Sequence, residues 1–331
     1  MTESLYCGSD ELAGLAEPVD YVEAVEDGYR QHGKSAAEPR TKLINREPPG
    51  MLTGYLAILP ESGYMGGYTY SAGFGERDAW FMTPLFDAES GEPLALFDGA
   101  SMNPFKTGAA GAVAVDHLAR NDSETVGIIG SGPQARGQLL STATVRDLSE
   151  VRVYSPTEAN REAFATEMTD RLDCELRAVD TSAQAVTNAD IVITATTADE
   201  PVFDGEQLAP GTHVTAMGQY SASKRELDTT TIERSTYVPD LRERVMQDAG
   251  SFIYAVEQSV VDESHIHAEL GKIVAGKTDG RTSAGEITVF DSGGTGIETV
   301  AAAGMLYERA QAEEIGSTIS FAPASEALTG R

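Results

Sequence analysis

From residue 125 onward, short apolar runs alternate with longer amphipathic stretches. Runs at 125–129, 151–154, 176–179, 191–195, 214–217, 237–239 and 287–290 read as buried strands. Segments such as 134–146, 158–171 and 241–247 lie between them and read as helices. An alternation of this kind predicts a parallel, doubly wound sheet. The first hundred residues follow another rhythm. Residues 17–29 place Val19, Val22, Val25 and Tyr29 on one helical face, and β-like runs follow at 51–59, 64–71, 80–86 and 94–97. Pro48-Pro49-Gly50, Pro60-Glu61-Ser62-Gly63 and Glu89-Ser90-Gly91 punctuate them as turns, and no crossover helix intervenes. Residues 109–115, all Ala, Gly or Val, predict a tightly packing helix that leads into the second region. A last helix over 297–315 precedes a polar tail and is expected to return to the β-rich region. The expected fold class is therefore α/β. A Rossmann-type domain spans 116–299, and a smaller β-rich domain is assembled from 1–115 and 300–331.

The segment Thr125-Val126-Gly127-Ile128-Ile129-Gly130-Ser131-Gly132-Pro133-Gln134-Ala135 runs from strand through glycine turn into helix. Gly130 permits the tight turn, Gly132 lets backbone approach a pyrophosphate, and Ala135 lets the new helix lie close to the sheet. Pro133 suits the first helical position, where no N–H is needed. The expected cofactor contacts in this turn are Gly130, Ser131, Gly132, Pro133 and Gln134. Ser155-Pro156-Thr157 follows the second strand, where an NAD-specific site commonly has an acid for the ribose 2′-hydroxyl. None is present, so Ser155 and Thr157, with Arg161 nearby, leave room for a 2′-phosphate. NAD or NADP is the expected cofactor, with a lean toward NADP. Thr196-Thr197, Met217-Gly218 and Ser292-Gly293 fall after later strands or at a helix entry, where a nicotinamide would lie.

At 331 residues the chain is about twice the usual ~100–150-residue domain, which fits two domains. No apolar run approaches the roughly 20 residues needed to cross a bilayer, and residues 1–10 lack the features of a signal peptide. A cytoplasmic location and no membrane partner are expected. Cys7 and Cys174 lack metal-like or disulfide-framework spacing. Acids outnumber bases 52 to 24, for a formal net charge of -28, a surface that repels nucleic acid and anionic membranes. The acids are scattered and lysine is scarce, a pattern that resembles proteins adapted to high intracellular salt. His32, His117, His213, His265 and His267 form no ligand cluster, and no metal is expected.

Several strings occur in an order that matches one family: Glu38-Pro39-Arg40, Gly91-Glu92-Pro93-Leu94, Lys106-Thr107-Gly108-Ala109, the glycine turn, Ala189-Asp190-Ile191-Val192, Lys224-Arg225-Glu226-Leu227-Asp228, Glu269-Leu270-Gly271 and Phe290-Asp291-Ser292-Gly293. Together they resemble the ornithine cyclodeaminase/μ-crystallin family, which includes archaeal alanine dehydrogenases and ketimine reductases, and the acidic composition suggests a haloarchaeal-like member. The resemblance implies NAD(P)-dependent chemistry at the α-carbon of an amino or imino acid, and a homodimer built through the β-rich domain. It implies that Arg40 binds the substrate carboxylate and that Thr107 faces the nicotinamide. Lys106 stands where the family usually has a second carboxylate-binding arginine; lysine keeps the charge but loses the planar fork.

Two departures bear on the reaction. The aspartate that moves protons in cyclisation aligns with Tyr220, and the lysine expected after the Met65-Gly66-Gly67 turn aligns with Tyr68. A phenol near pKa ~10 does not replace a carboxylate base at neutral pH. The expected function is therefore simple oxidation or reduction, with Lys106 and Tyr220 catalytic and Arg40, Lys106 and Tyr68 binding substrate. Two alternatives stay open: a true ornithine cyclodeaminase, and a nucleotide-dependent binding protein without turnover.

Overall fold

The computed structural model describes residues 2–31, 36–75 and 79–324, so His32 lies outside the described residues. Contacts divide the chain into Met1–Asn103 with Thr295–Arg331, and Pro104–Gly294. The boundaries thus fall at 103/104 and 294/295, where the sequence pattern put them at 115/116 and 299/300. The first difference has a packing cause. The helix Asn103–Leu118 lies so close to the helix Pro133–Val145 that a Cβ on Gly108 would meet the Gly137 carbonyl oxygen at 2.3 Å. The small residues bind this helix to the parallel sheet's unit.

In the first unit, eight strands form one sheet: β1 (Thr2–Cys7), β2 (Ala36–Ala37), β3 (Thr41–Arg46), β4 (Pro49–Leu59), β5 (Tyr64–Ala72), β6 (Trp80–Asp87), β7 (Pro93–Asp98) and the last strand of the chain, β15 (Ser317–Phe321). Their order is β15-β1-β7-β6-β5-β4-β2, with β3 also on β4. Only β1 and β7 pair in parallel. The residues read as a polar tail thus supply an edge strand, β15, antiparallel to β1.

The pair Gly66-Gly67 is not a turn. It lies inside β5, where a Cβ would sit 2.3 Å from the Pro84 carbonyl oxygen on one residue and 2.0 Å from that of Tyr55 on the other. Close backbone approach from both neighbouring strands requires glycine there.

The helices Pro18–Arg30 and Gly296–Ala312 pack on each other, and the second also packs on β4 and β5. The first opens with Pro18 at its start and with the Asp20 carboxylate accepting the Glu17 N–H at 2.7 Å. Its buried face is Tyr21, Val22, Val25, Gly28 and Tyr29, while Val19, expected on that face, is 42% exposed. The aromatic side chain of Tyr21 takes its place.

The second unit carries β8 (Thr125–Ile129), β9 (Glu150–Tyr154), β10 (Glu175–Ala178), β11 (Ile191–Thr194), β12 (His213–Ala216), β13 (Ser235–Pro239) and β14 (Ile287–Asp291). All pairs are parallel and the order is β10-β9-β8-β11-β12-β14-β13. Both faces are covered, which is why the strands read as continuous apolar runs. Val126, Ile128, Ile191 and Ile193 face one core with Leu139 and Phe164, whereas Val192, Val214 and Val289 face the other with Phe252. The order reverses between β8 and β11, so ligand chemistry is expected outside the C-terminal ends of those strands.

At the opposite, N-terminal edge the buried polar groups close on one another. The Asp190 carboxylate accepts from the Thr125 N–H and hydroxyl and from the Glu124 N–H, and pairs with Arg120 at 2.6 Å. Burial pushes that carboxyl up, but these donors outweigh it and hold it below the ordinary range. His213 is buried between the hydroxyls of Thr288 at 2.9 Å and Thr215 at 3.0 Å. Burial, with the Arg281 and Arg146 charges, pushes its pKa down to about 3 and keeps the ring neutral.

Candidate active site

The turn after β8 is built as its sequence suggests. Gly130 has φ +119, and a Cβ there would lie 2.3 Å from the Ala195 carbonyl oxygen, so only glycine lets β8 turn against the end of β11. Gly132 caps the helix Pro133–Val145 without any side-chain bond, and nothing lies within 4 Å of where its Cβ would be. The space beside the helix start at Gly132 is therefore open, next to a backbone that has no side chain to exclude a ligand. That geometry fits a pyrophosphate, which takes the helix N-terminal N–H groups and dipole. Ala135 is fully buried under the turn, and the buried Oε1 of Gln134 has no hydrogen-bond partner among the described residues.

Ser131 in the turn donates its hydroxyl to that of Ser155 at 3.1 Å, joining the glycine turn to the end of β9. Ser155 in turn donates to the Thr157 carbonyl at 3.3 Å. Thr157 is exposed and caps the helix Glu158–Thr169 by position, with no side-chain bond.

Two carboxylates that sequence reasoning did not assign organise the remaining loops. Glu226, 2% exposed, accepts the N–H of Thr196 at 2.7 Å, the N–H of Gly218 at 2.8 Å and the Thr194 hydroxyl at 3.1 Å. One side chain thereby fixes the ends of β11 and β12. Burial raises its pKa, and these donors offset part of the rise. Asp240 does the same after β14: one oxygen accepts from the Ser292 hydroxyl at 2.7 Å and from the Gly293 and Gly294 N–H groups at 2.9 and 3.2 Å. Its other oxygen accepts from Arg244 at 2.7 Å, a fully buried guanidinium that also pairs with Asp248 and Asp291. Met217 is buried, Thr197 exposed and Tyr220 half-buried on the loop that begins at Gly218. The structure thus brings Ser131 to Ser155, Thr196 to Gly218, and Ser292 to Gly293, each through named bonds.

Lys106 is 1% exposed, and its ammonium donates to the Thr107 hydroxyl at 3.3 Å. It is a buried lysine, not a solvating surface one. The Thr107 carbonyl accepts from Gln138 at 2.8 Å, which anchors this part of the helix. In the other unit the Arg40 guanidinium lies over the Tyr55 ring, 5.2 Å from its centroid, and Tyr55 packs edge-on against Tyr68 at 4.8 Å. Tyr68 is 4% exposed and donates to Asn103 Oδ1 at 2.8 Å. Burial, with Tyr55, Tyr70 and Glu298 nearby, drives its pKa well above the ordinary phenol value, so it stays a neutral donor. Arg40 and Tyr68 therefore share one aromatic cluster.

The family profile of the ornithine cyclodeaminase/mu-crystallin proteins matches residues 11–314. The chain belongs to that family. It is 33% identical over 327 residues to an alanine dehydrogenase of Archaeoglobus fulgidus, covering 96% of this chain and 99% of that protein. Among solved structures it resembles the Thermococcus litoralis Delta(1)-pyrroline-2-carboxylate reductase in complex with NADH and L-proline, at 35% identity and a TM-score of 0.91, over 95% of this chain and 100% of that one. It also resembles an archaeal alanine dehydrogenase dimer with bound NAD, at 32% identity and a TM-score of 0.90, over 97% and 100% of the two chains.

Proposed function

We propose that this family member is an NAD(P)-dependent oxidoreductase acting at the α-carbon of a small amino or imino acid, in the manner of an alanine dehydrogenase or a ketimine reductase. The observation that carries this reading is the open helix N-terminus at Gly132, next to loops held by Glu226 and Asp240. Gly130, Ser131, Gly132, Pro133 and Gln134 would hold the pyrophosphate, and Ser155 and Thr157 the adenosine ribose. Thr107, Thr196, Thr197, Met217, Gly218, Ser292 and Gly293 would line the nicotinamide end. When bound, the nicotinamide supplies or accepts the hydride.

The protein's own part is binding, orientation and one proton. Arg40 and Lys106 would each bind the substrate carboxylate by charge-assisted hydrogen bonds. Tyr220 or water would deliver or take the proton, and Tyr68 would shape the wall beside Arg40. The buried Tyr68 phenol is held protonated, and Tyr220 carries no carboxylate, which argues against cyclisation. The outer face of the first unit's sheet exposes Leu43, Leu52, Leu56, Trp80 and Met82, between 47% and 69% each, which supports pairing with a second copy. The net charge of -28 supports work at high salt.

The test is hydride transfer by the purified protein in high salt: oxidation of NADH or NADPH with pyruvate plus ammonia, and with cyclic imino acids. Turnover supports the reading. Cofactor binding without turnover favours a binding protein, and robust proline formation from ornithine with catalytic NAD establishes a cyclodeaminase. With the best substrate, Arg40→Ala and Lys106→Ala should each raise KM about ten- to a hundred-fold with little change in cofactor affinity. Wild-type kinetics for both would move the carboxylate elsewhere.

A further inference from the structure

The ribose end of the proposed cofactor site contains two arginines, and each is already tied to a carboxylate. Arg161 sits in the first turns of the helix Glu158–Thr169, with its side chain 11% exposed. One of its nitrogens donates to the Ser155 carbonyl at 3.2 Å, and another pairs with Asp180 at 2.9 Å. Asp180 follows β10 and its side chain is 83% exposed. Arg136 donates to the Ser131 carbonyl and pairs with Glu167 at 2.7 Å, its guanidinium stacked 5.2 Å from the Phe164 ring centroid. The Ser155 hydroxyl is engaged too, accepting from Ser131 and donating to Thr157.

Sequence alone read this loop as permissive for a 2′-phosphate because it lacks an acid directly after β9. The acid is present, but it comes from the next strand. We propose that Asp180 sets the cofactor preference toward NAD by holding Arg161. A 2′-phosphate would have to take the guanidinium from Asp180 while facing that carboxylate, with exposed Glu158 at the start of the helix that carries Arg161. A ribose 2′-hydroxyl meets no such competition. Asp180 thereby acts on specificity through Arg161, without itself needing to touch the nucleotide. This rests on the dinucleotide reading of the turn at Gly130 and Gly132.

The experiment measures dissociation constants of NADH and NADPH for the full-length protein by nicotinamide fluorescence. It uses wild type, Asp180→Asn, Asp180→Ser, and Asp180→Asn combined with Arg161→Ala. The wild type should bind NADH the more tightly. Each single Asp180 variant should tighten NADPH about tenfold, the scale of one charge-assisted hydrogen bond, and leave NADH within about twofold. The added Arg161→Ala should remove that gain, which a merely structural role for Asp180 does not predict. A wild type that prefers NADPH, or Asp180 variants that shift both nucleotides alike or neither, would overturn the assignment of Asp180 while leaving the turn in place. Binding of neither nucleotide by the wild type would overturn both.

Discussion

At the N-terminal edge of the parallel sheet, Asp190, Thr125 and Arg120 satisfy one another, and His213 is closed between two threonine hydroxyls. At the C-terminal edge the carboxylates of Glu226 and Asp240 face away from charge partners at one or both oxygens and bind loop N–H groups instead, beside a helix start that stays open at Gly132. Both edges pair polar groups with protein partners. The first uses them to lock strands together, and the second to hold loops in position beside the open helix start at Gly132. In α/β sheets that difference separates stability from ligand chemistry.

Between the two edges, the larger combined effect on stability and affinity is expected at Glu226. Glu226→Gln keeps the size but turns an N–H donor toward the N–H of Thr196 or Gly218. Leaving such a buried donor unsatisfied costs about 1–3 kcal/mol, and two loops are at stake. Thermal unfolding should record the loss, and cofactor affinity should fall about tenfold as the ends of β11 and β12 loosen. Unchanged affinity in a destabilised protein would show Glu226 to be structural only.

Asp190→Asn probes the other edge. It should cost about 1–3 kcal/mol of stability by weakening the bonds to Arg120, Thr125 and Glu124, and leave cofactor affinity untouched. A comparable loss of affinity there would erase the distinction between the edges.

His213 supplies a pH-dependent effect at the same edge. The unfolded chain binds a proton on this ring below about pH 6.5, whereas the folded protein leaves it neutral down to about 3. The unfolded state therefore holds the extra proton in that window, and stability present above it is lost on acidification, by about 1.4 kcal/mol per pH unit well inside it. His213→Gln, measured by denaturant unfolding between pH 7 and pH 4, should show a shallower decline than wild type. Parallel declines would mean that carboxylates alone set the acid limit.

Some of this was legible in the sequence and some was hidden for physical reasons. The turn at Gly130 and Gly132 is legible because strand, glycine and helix N-terminus are contiguous, so local rules suffice. The strands of the second unit are legible because burial on both faces makes each a dense apolar run. β1 and β15 are not: β15 is a largely exposed edge strand, β1 beside it mixes buried and exposed positions without regular alternation, and their pairing joins residues far apart in the sequence. Gly66-Gly67 imitates a turn because the close approach of Pro84 and Tyr55 exists only in the assembled sheet. Glu226, Asp240 and Asp180 are hidden among 52 acids, since a carboxylate that orders distant N–H groups or holds an arginine has the same letter as one that faces water.

The central claim is that the helix start at Gly132 receives the dinucleotide, and Gly132→Asp tests it most directly. The position has open surroundings and an N-cap role that aspartate fills well, so the fold should persist with unchanged secondary structure and melting. Titration with NADH and NADPH should then show binding weakened at least a hundred-fold, because the new carboxylate occupies and repels the pyrophosphate's place, a loss on the order of 3 kcal/mol. A folded variant that keeps wild-type affinity within a few-fold for both nucleotides would contradict the account.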